Sequence, residues 1–524
     1  MKYVSVAEMI AIENEADTRG HSYDQMMELA GRGLAEKVDD LYGELENRLV
    51  LGLVGSGNNG GDTLVALCYL RDWGWKTTAY LVRKRPSDDP LLQRAKESGC
   101  EILEFVNDEN FILLESAIQS RKVLLDGILG TGIKLPLRGA VKQVISKVKQ
   151  TIEAMRPRIK IVAVDCPSGV DCDTGEAADE GIVADTTVTM AAVKQGLLRF
   201  PAYNLVGNLE FVGIGLPANL ESYEGIRREV ITQDWVQNNI PKRPLDAHKS
   251  TFGVVMVLAG SIHYSGSVLL AGEAAFRSGA GWVTLAVPEP LHAPLAGSFL
   301  EATWLPLPHQ DGWISEDACK VVMENLDRIT TLIVGPGFGM QPSTKQFVDR
   351  LLKSRNVELP FMVVDADGLK LLAEIPDWPA RLPQTAILTP HPGEMAILTG
   401  DPIAEIIETR VMTAESYALK WGHVVVLKGA FTVIASPVGQ TAIIPVATPA
   451  LSRAGTGDVL AGLIGGFRAQ GLEAFEAAVV GAWVHAQAGI RAAEIQRNAA
   501  SVLAGDVLGA VKDVMAKLAN KKFD

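Results

Sequence analysis

Two series of polar, glycine-rich loops in this chain carry residues suited to acid–base and phosphate chemistry. The first comprises GSGNNGGD (55–62), DGILGTGIKLP (126–136) and DCPSGVDCDTG (165–175). Gly55, Gly57 and Gly60 satisfy G-x-G-x-x-G, which lets a backbone approach a pyrophosphate but also serves as a plain strand-to-helix turn. A dinucleotide cofactor site wants an acid about twenty residues on, at the end of the second strand. That run ends here in Arg83, Lys84 and Arg85, so the loop either prefers a 2′-phosphate or serves something other than a redox cofactor. Asn59, Asp126 and Ser168 offer oxygen ligands for a hard cation bridging the loops; the bland alternative is that Asp126 and Ser168 turn their own loops. Asp165 ends a buried strand, where a carboxyl titrates abnormally and can act as acid or base. Lys194 reads as a surface lysine.

The second series is HKSTFGVVMVLAGS (248–261), GPGFG (335–339), TPHPGEM (389–395), LKGAFT (427–432) and ATPALSRAGTGDVLAGLIGGF (447–467). Ala454 to Asp458 opens a long apolar helix, whose free N–H groups would stabilise an anion. Asp458 can accept a proton from a hydroxyl attacking a terminal phosphate, or it can cap the helix. There is no G-x-x-x-x-G-K-[ST] in the chain, so a nucleotide must be held by this other solution.

Positioning these loops requires parallel sheets. Apolar β-branched runs at 49–54, 77–82, 123–128, 161–165 and 186–190 alternate with helical patterns, after two helical stretches at the amino end. Continuous apolar strands with intervening helices mean a sheet covered on both faces, with ligands at the carboxyl ends of its strands. Periodicity stops around 232–250, and a second α/β series follows: GVVMVLAG, WVTLAVP, TLIVGPG, FMVVDAD, TAILTPHPG and HVVVLKG, then a strand pair within 432–446 and three closing helices. The fold expected is α/β throughout: a Rossmann-like three-layer α/β/α domain over 1–230, a linker over 231–247 and a second α/β domain over 248–524.

At 524 residues the chain exceeds the size of one core. An apolar fraction of 48%, with 21% charged residues, is that of a soluble globular protein. A net charge of −13 argues against nucleic acid or an anionic membrane as partner. The five cysteines are sparse, odd in number and without metal-ligand spacing, which points to reduced thiols and a cytoplasmic setting. The amino terminus is amphipathic rather than a signal sequence, and GSIHYSG interrupts the one long uncharged stretch, 254–272, so no transmembrane segment is expected.

NNGGD, LGTG and D-x-PSG-x-D-x-x-TG, in that order and with TVTMAAVKQGLL after them, resemble the NAD(P)H-hydrate epimerase family across roughly the first 215 residues. The resemblance implies that a damaged nicotinamide nucleotide, the hydrate NAD(P)HX, is substrate rather than cofactor. It implies contacts from Asn58, Asn59, Gly60, Gly61 and Asp62, from Gly130, Thr131, Gly132, Ile133, Lys134, Leu135 and Pro136, and from a catalytic Asp165. It also implies K+ on Asn59, Asp126 and Ser168. Thr63 stands where many relatives have glycine, a departure expected to touch helix packing more than ligand contacts.

The second series resembles the ADP/ATP-dependent NAD(P)H-hydrate dehydratase family, a branch of the ribokinase-like fold, over residues 240 to 515. That resemblance implies a catalytic Asp458 and hydrate contacts from Gly337, Gly339, His391 and Asp458. Lys428, Gly429, Ala430, Phe431, Thr432 and Gly457 would hold the adenine nucleotide, with Mg2+. The expected function is metabolite repair: interconversion of R- and S-NAD(P)HX, and dehydration of the S form at the expense of ADP or ATP. His391 is a candidate acceptor of the ring C5 proton. A homo-oligomer is expected. The rival is a ribokinase-like kinase fused to a nucleotide-sensing domain; incubation with ADP separates the two, since a dehydratase releases AMP and phosphate and leaves no phosphorylated product.

Overall fold

The computed structural model describes residues 1–353, 358–383 and 385–519. It divides into two compact units, Met1–Arg227 and Arg228–Asp524.

The amino-terminal unit is built on seven parallel strands. In chain order they are β1 (Leu49–Val54), β2 (Lys76–Leu81), β3 (Glu101–Glu104), β4 (Val123–Gly127), β5 (Lys160–Val164), β6 (Thr186–Met190) and β7 (Asn208–Val212), lying side by side as β3-β2-β1-β4-β5-β6-β7. Successive residues of a strand point to opposite faces, and β1 shows the consequence. Val50 and Val54 enter one hydrophobic cluster, with helices Val6–Thr18, Tyr23–Tyr42 and Asn58–Asp72; Leu51 and Leu53 enter another, with helices Ile112–Ser120 and Gly139–Ala154. This is the three-layer arrangement expected from the continuous apolar runs. Strand order reverses between β1 and β4, so the loops after them open the crevice where such sheets bind ligands. The strands missed from sequence, β3 and β7, lie at the two edges, where half-exposed residues break the apolar run.

The carboxyl-terminal sheet has ten strands: β8 (Arg228–Val230), β9 (Val254–Leu258), β10 (Trp282–Pro288), β11 (Thr303–Leu307), β12 (Thr331–Val334), β13 (Phe361–Val364), β14 (Ile387–Leu388), β15 (Val424–Leu427), β16 (Val433–Ala435) and β17 (Thr441–Ile443). Their order is β8-β17-β16-β15-β14-β13-β12-β9-β10-β11, antiparallel only where β16 meets β15 and β17. Val255 and Val257 pack against the three closing helices, Thr456–Ala469, Ala474–Gln496 and Ala504–Ala519, while Met256 and Leu258 serve the other face.

The segment between the units is more ordered than its sequence suggests. Arg228–Val230 pairs with β17, and helix Gln233–Asn239 buries Val236 in the carboxyl-terminal core. Elements of three and seven residues are too short to show periodicity. No helix among the described residues is long and apolar enough to cross a membrane.

Candidate functional site

In the amino-terminal unit the three loops named from sequence meet at the carboxyl edge of the sheet. Close backbone packing demands two of the glycines: a Cβ on Gly55 would lie 1.9 Å from the Ile128 carbonyl oxygen, and one on Gly60 2.1 Å from that of Gly55. Gly57 instead borders open space and serves as N-cap of helix Asn58–Asp72 with no side-chain cap, which leaves first-turn N–H groups for a ligand. Asn59 Nδ2 donates to the carbonyls of Leu129 (3.1 Å) and Val164 (2.6 Å), stitching the first loop to the others. Its Oδ1 faces Gly130, where a Cβ would come within 2.3 Å. Asp126 accepts from the Ser168 N–H (2.8 Å) and hydroxyl (2.6 Å), and the same hydroxyl accepts from the Leu129 N–H (3.0 Å). Asp126 also accepts the Ile128 N–H of its own loop. Burial pushes its carboxyl up, against the pull of those bonds. Asn59, Asp126 and Ser168 thus gather amide, carboxylate and hydroxyl oxygens, a donor set that suits a hard cation of low charge.

Asp165 sits just past β5 with φ of 63°, a left-handed backbone that aims its side chain along the strand ends. Its Oδ1 accepts from the Met190 N–H (3.0 Å), the Thr189 hydroxyl (3.2 Å) and the ammonium of Lys194. Lys194 is 1% exposed, which corrects its reading as a surface residue. Backbone pairing fixes it: Tyr3–Val4 forms a short parallel ladder with Val193–Lys194. Burial alone would lower its pKa, but the Asp165 charge and hydrogen bond hold it above the ordinary value. Two further carboxyls share this field. Burial raises Asp62 well above the ordinary carboxylate range, with Asp165 and Glu13 adding to the rise and Lys194 opposing it. Glu13 is raised by burial first, lowered by Lys194 and raised by Asp165.

These groups line an open cleft together with Tyr23, Asn58, Asn59, Thr131 and Met190. Of the other expected contacts, Gly61 packs on Met27 and Gly60 on its own loop, while Gly132 to Pro136 continue their loop beyond the cleft lining. Glu13 was missed from sequence. Met9, Ile12 and Ala16 are buried along one stripe of its helix, and Glu13 falls in that i, i+3, i+4, i+7 series. A carboxylate on an apolar stripe was the available signal.

In the carboxyl-terminal unit the strand-end loops converge around a second, half-buried lysine. Lys428 Nζ donates to Asp365 Oδ1 (2.7 Å) and lies 3.5 Å from Glu394 Oε2. Asp365 also accepts from the Thr389 hydroxyl (2.7 Å). Burial opposes the Lys428 charge, yet Asp365 and Glu394 raise its pKa. Helix Thr456–Ala469 starts beside this pair: a Cβ on Gly457 would lie 3.5 Å from Lys428 Nζ and 3.7 Å from Asp365 Oδ2. Gly455 is the N-cap, with φ of 89°, so Asp458 is not the capping residue. Asp458 sits in the first turn, pushed up to about 7 by burial and then by the Asp365 charge, with a Ser267 hydrogen bond opposing. Its proton affinity thus lies near neutral pH, the range suited to a general base.

The GPGFG loop joins the same region. The Ser261 hydroxyl donates to the Gly337 carbonyl (2.8 Å), and the Gly339 N–H donates to Asp367 (2.8 Å). A Cβ on Gly339 would strike the Trp313 ring at 1.9 Å, so close packing demands glycine there. His391 caps helix Pro392–Thr399: its Nδ1 accepts the N–H groups of Gly393 (3.0 Å) and Glu394 (3.2 Å). Because backbone N–H can only donate, Nδ1 is the acceptor and Nε2 carries the hydrogen, 3.3 Å from Glu394 Oε1. Nδ1 is thus engaged by the main chain, and the Nε2 edge faces Glu394. Asp365 and Glu394, both nearly fully buried, were missed from sequence because a strand-end acid and a cap-box acid look structural. Lys428 leads the loop Gly429 to Thr432, and the Arg410 guanidinium backs Gly429 while donating to the Leu427 carbonyl (3.0 Å).

Comparison with known proteins gives the same division. The family model described as NAD(P)H-hydrate dehydratase matches residues 255–511, and that of the YjeF-related protein N-terminus matches residues 23–196. The chain is 36% identical over 500 residues to the bifunctional NAD(P)H-hydrate repair enzyme of Moorella thermoacetica, covering 94% of this chain and 92% of that protein. Against the enzyme of the same name from Salinibacter ruber it is 37% identical over 516 residues, covering 95% and 92%, and against that of Escherichia coli 32% over 479 residues, covering 90% and 86%. Among solved structures, an ADP/ATP-dependent NAD(P)H-hydrate dehydratase from Bacillus subtilis, co-crystallised with ATP and Mg2+, is 30% identical; the match covers 55% of this chain and 97% of that one, with a TM-score of 0.46.

Proposed function

From the premise that the chain belongs to the bifunctional NAD(P)H-hydrate repair enzymes, we propose how its two sites divide the work. The enzyme is an isomerase and a lyase. The amino-terminal cleft interconverts R- and S-NAD(P)HX, and the carboxyl-terminal site dehydrates the S form to NAD(P)H at the expense of ADP or ATP. Water adds to either face of the reduced ring, so a dehydratase shaped for one hydrate needs an epimerase to rescue the other.

The observation that carries the dehydratase assignment is Asp458 at a glycine-lined helix start, beside Lys428 and with a proton affinity near neutral. Hydroxide is a poor leaving group, so the C6 hydroxyl must first be phosphorylated. Asp458 takes the hydroxyl proton as the oxygen attacks the terminal phosphorus. The helix start and Lys428 stabilise charge on the transferring group, the terms that dominate such reactions. Phosphate then leaves with the C6–O bond as the ring nitrogen lone pair advances, and loss of a C5 proton restores NAD(P)H. Asp365 and Glu394 supply carboxylate oxygens beside this helix start, and Mg2+ is commonly held by one or two carboxylates plus substrate phosphates. They would hold it there, and its chemistry would be neutralisation of phosphate charge.

In the epimerase cleft, loss and re-addition of water at C6, or opening and reclosure of the ring, each require one proton delivered and one removed. Asp165, oriented by Lys194, turns the negative end of the pair toward the ring, where cationic character develops. Asn59, Asp126 and Ser168 would hold K+, whose contribution is positive charge that offsets the buried Asp126. Five free cysteines, all buried, support a reducing, cytoplasmic setting.

The test is to supply the full chain with S-NADPHX and ADP. NADPH, AMP and phosphate should form in equal amounts. Accumulation of a stable phosphorylated hydrate would point to a kinase instead.

A further inference from the structure

The cleft of the amino-terminal unit holds more ionisable groups than its locked ion pair explains. Asp165 is committed to Lys194, Thr189 and Met190. Asp62 lies deep on helix Asn58–Asp72, at 7% exposure. Glu13 differs in coming from an element outside the sheet's strand-end loops, and its helix is held in place with unusual redundancy. The Ser5–Glu8 capping box closes the helix start, with the Ser5 N–H on Glu8 Oε2 (2.7 Å) and the Glu8 N–H on Ser5 Oγ (3.2 Å). The Val6 N–H donates to Asp173 (2.7 Å), and the Tyr3–Val4 ladder runs directly to Lys194. The same backbone pairing therefore fixes Lys194 and delivers Glu13 to the cleft wall.

We propose that Glu13 is a catalytic residue of the epimerase: the group that gives a proton to the leaving C6 oxygen and takes one back from the re-adding water. The assignment rests on the epimerase reading of this cleft. For loss and re-addition of water the bookkeeping closes. The C6–O bond breaks as its oxygen takes the Glu13 proton, water departs, and the ring nitrogen lone pair forms the N1=C6 iminium. A water then adds to the other face of C6, and its surplus proton returns to the Glu13 carboxylate, so the enzyme ends as it began. Asp165 keeps its hydrogen bonds to Lys194, Thr189 and Met190 throughout and faces the iminium.

Three further observations support Glu13 as the carrier. A carboxylate on the apolar stripe of its helix costs stability if it is only structural. Burial and the Asp165 charge raise its proton affinity more than Lys194 lowers it, which favours a proton on this carboxyl. The facing titratable groups are Tyr23 from helix Tyr23–Tyr42, Asp62, Asp165 and Lys194. Helix Glu221–Glu224 packs across the other side through Glu15, whose carboxylate accepts the N–H groups of Glu221 (3.0 Å) and Ser222 (2.8 Å). Unlike Asp62, Glu13 is only partly buried, so it can exchange its proton with solvent.

The test measures R-to-S interconversion of NADHX by chiral chromatography, on the full chain with ADP withheld and the uncatalysed rate subtracted. Glu13→Gln should lower kcat by about 100-fold or more with KM held within about threefold, the signature of an interaction made in the transition state. Wild-type kcat should fall on the alkaline side as Glu13 loses its proton, and that limb should vanish in the Gln variant. Glu13→Asp, which keeps the acid on a shorter arm, should recover part of the rate. Wild-type kcat in Glu13→Gln, a loss confined to KM, or an unchanged alkaline limb would overturn the assignment and move the proton to Asp62. A wild-type chain that does not exceed the uncatalysed rate would instead sink the epimerase reading.

Discussion

Asp165 and Asp365 occupy equivalent places in the two units and do similar electrostatic work. Each follows the last residue of a parallel strand, and each N–H donates to the neighbouring strand, to Val188 at 2.8 Å and to Val334 at 3.1 Å. Each accepts from a lysine of another element, Lys194 or Lys428. In both units a second carboxyl then sits in the field of the locked pair without a lysine of its own, and burial raises its proton affinity: Glu13 and Asp62 in one, Asp458 in the other. The difference is where that carboxyl comes from. Asp458 lies on the glycine-rich helix start itself, where the proposed phosphoryl transfer needs it. Glu13 comes from a separate amino-terminal helix, as chemistry on a ring carbon needs no phosphate beside the acid. On the reading proposed above, the strand-end acid sets the field and its unlocked neighbour carries the proton.

The severest way to break this comparison is to remove the carrier and leave the lock. Asp458→Asn should lower ADP-dependent dehydration by about 10²–10⁴-fold, the usual worth of a general base, while R-to-S interconversion continues. Coupled measurement of NADPH and AMP checks it. If dehydration persists, proton transfer belongs to Asp365 or to water, and the parallel between the units fails.

Breaking a lock should cost folding rather than chemistry first. Lys194→Met leaves Asp165 buried beside Asp62 and Glu13 with no counter-charge, and uncompensated buried charges cost about 3–5 kcal/mol. The denaturant midpoint of the amino-terminal transition should drop accordingly. Lys194→Met with Asp165→Asn should regain much of the loss, because the orphaned charge is gone. A double variant no more stable than the single one would mean that Lys194 acts through packing alone.

The legibility of the sequence follows the same division. Central strands were readable because burial on both faces forces continuous apolar runs: β1, β6 and β10 fall where those runs predict them. Edge strands β3, β7 and β11 were not, since one open side admits charge, and in β11 a proline at Pro306. The loops were legible because backbone approach restricts them to glycine, as at Gly55 and Gly60. The lysines and their unlocked partners were not. Lys194 has the composition of a surface residue, and only the ladder to Tyr3–Val4, a contact across 190 residues, buries it. Thr63 followed its sequence reading. It packs between sheet and helix, where a Cβ on Gly127 would lie 1.9 Å from its hydroxyl and one on Gly52 2.8 Å from its methyl.

A gentler perturbation tests the field itself. Because the Asp458 carboxyl is raised to about 7, it is protonated and idle below that pH, and dehydration should rise with pH through a midpoint near 7. Asp365→Asn removes a negative charge that raises Asp458 and frees the Lys428 charge that lowers it. Both changes favour ionised Asp458, so the midpoint should move to lower pH while staying above the ordinary carboxylate value, since burial remains. Profiles of kcat at saturating nucleotide read this directly. A midpoint that moves upward would show that Lys428, left with Glu394 alone, no longer faces Asp458.

The smallest effect concerns the two helix starts. Thr456 and Thr63 each turn a hydroxyl back onto the main chain: Thr456 to Leu451 (2.9 Å) and Arg453 (2.8 Å), Thr63 to Asn59 (2.7 Å). Thr456 ties down the loop ahead of Asp458, whereas Asn59 is already held by Leu129 and Val164. Thr63→Gly should therefore cost about 1–2 kcal/mol, from one hydrogen bond and a helical glycine, with epimerase KM unchanged. Thr456→Ala should raise the KM for ADP as well as lower stability. If Thr63→Gly instead raised the hydrate KM, the first loop would need Thr63 to place Asn59, and the amino-terminal helix start would be held as dependently as the other.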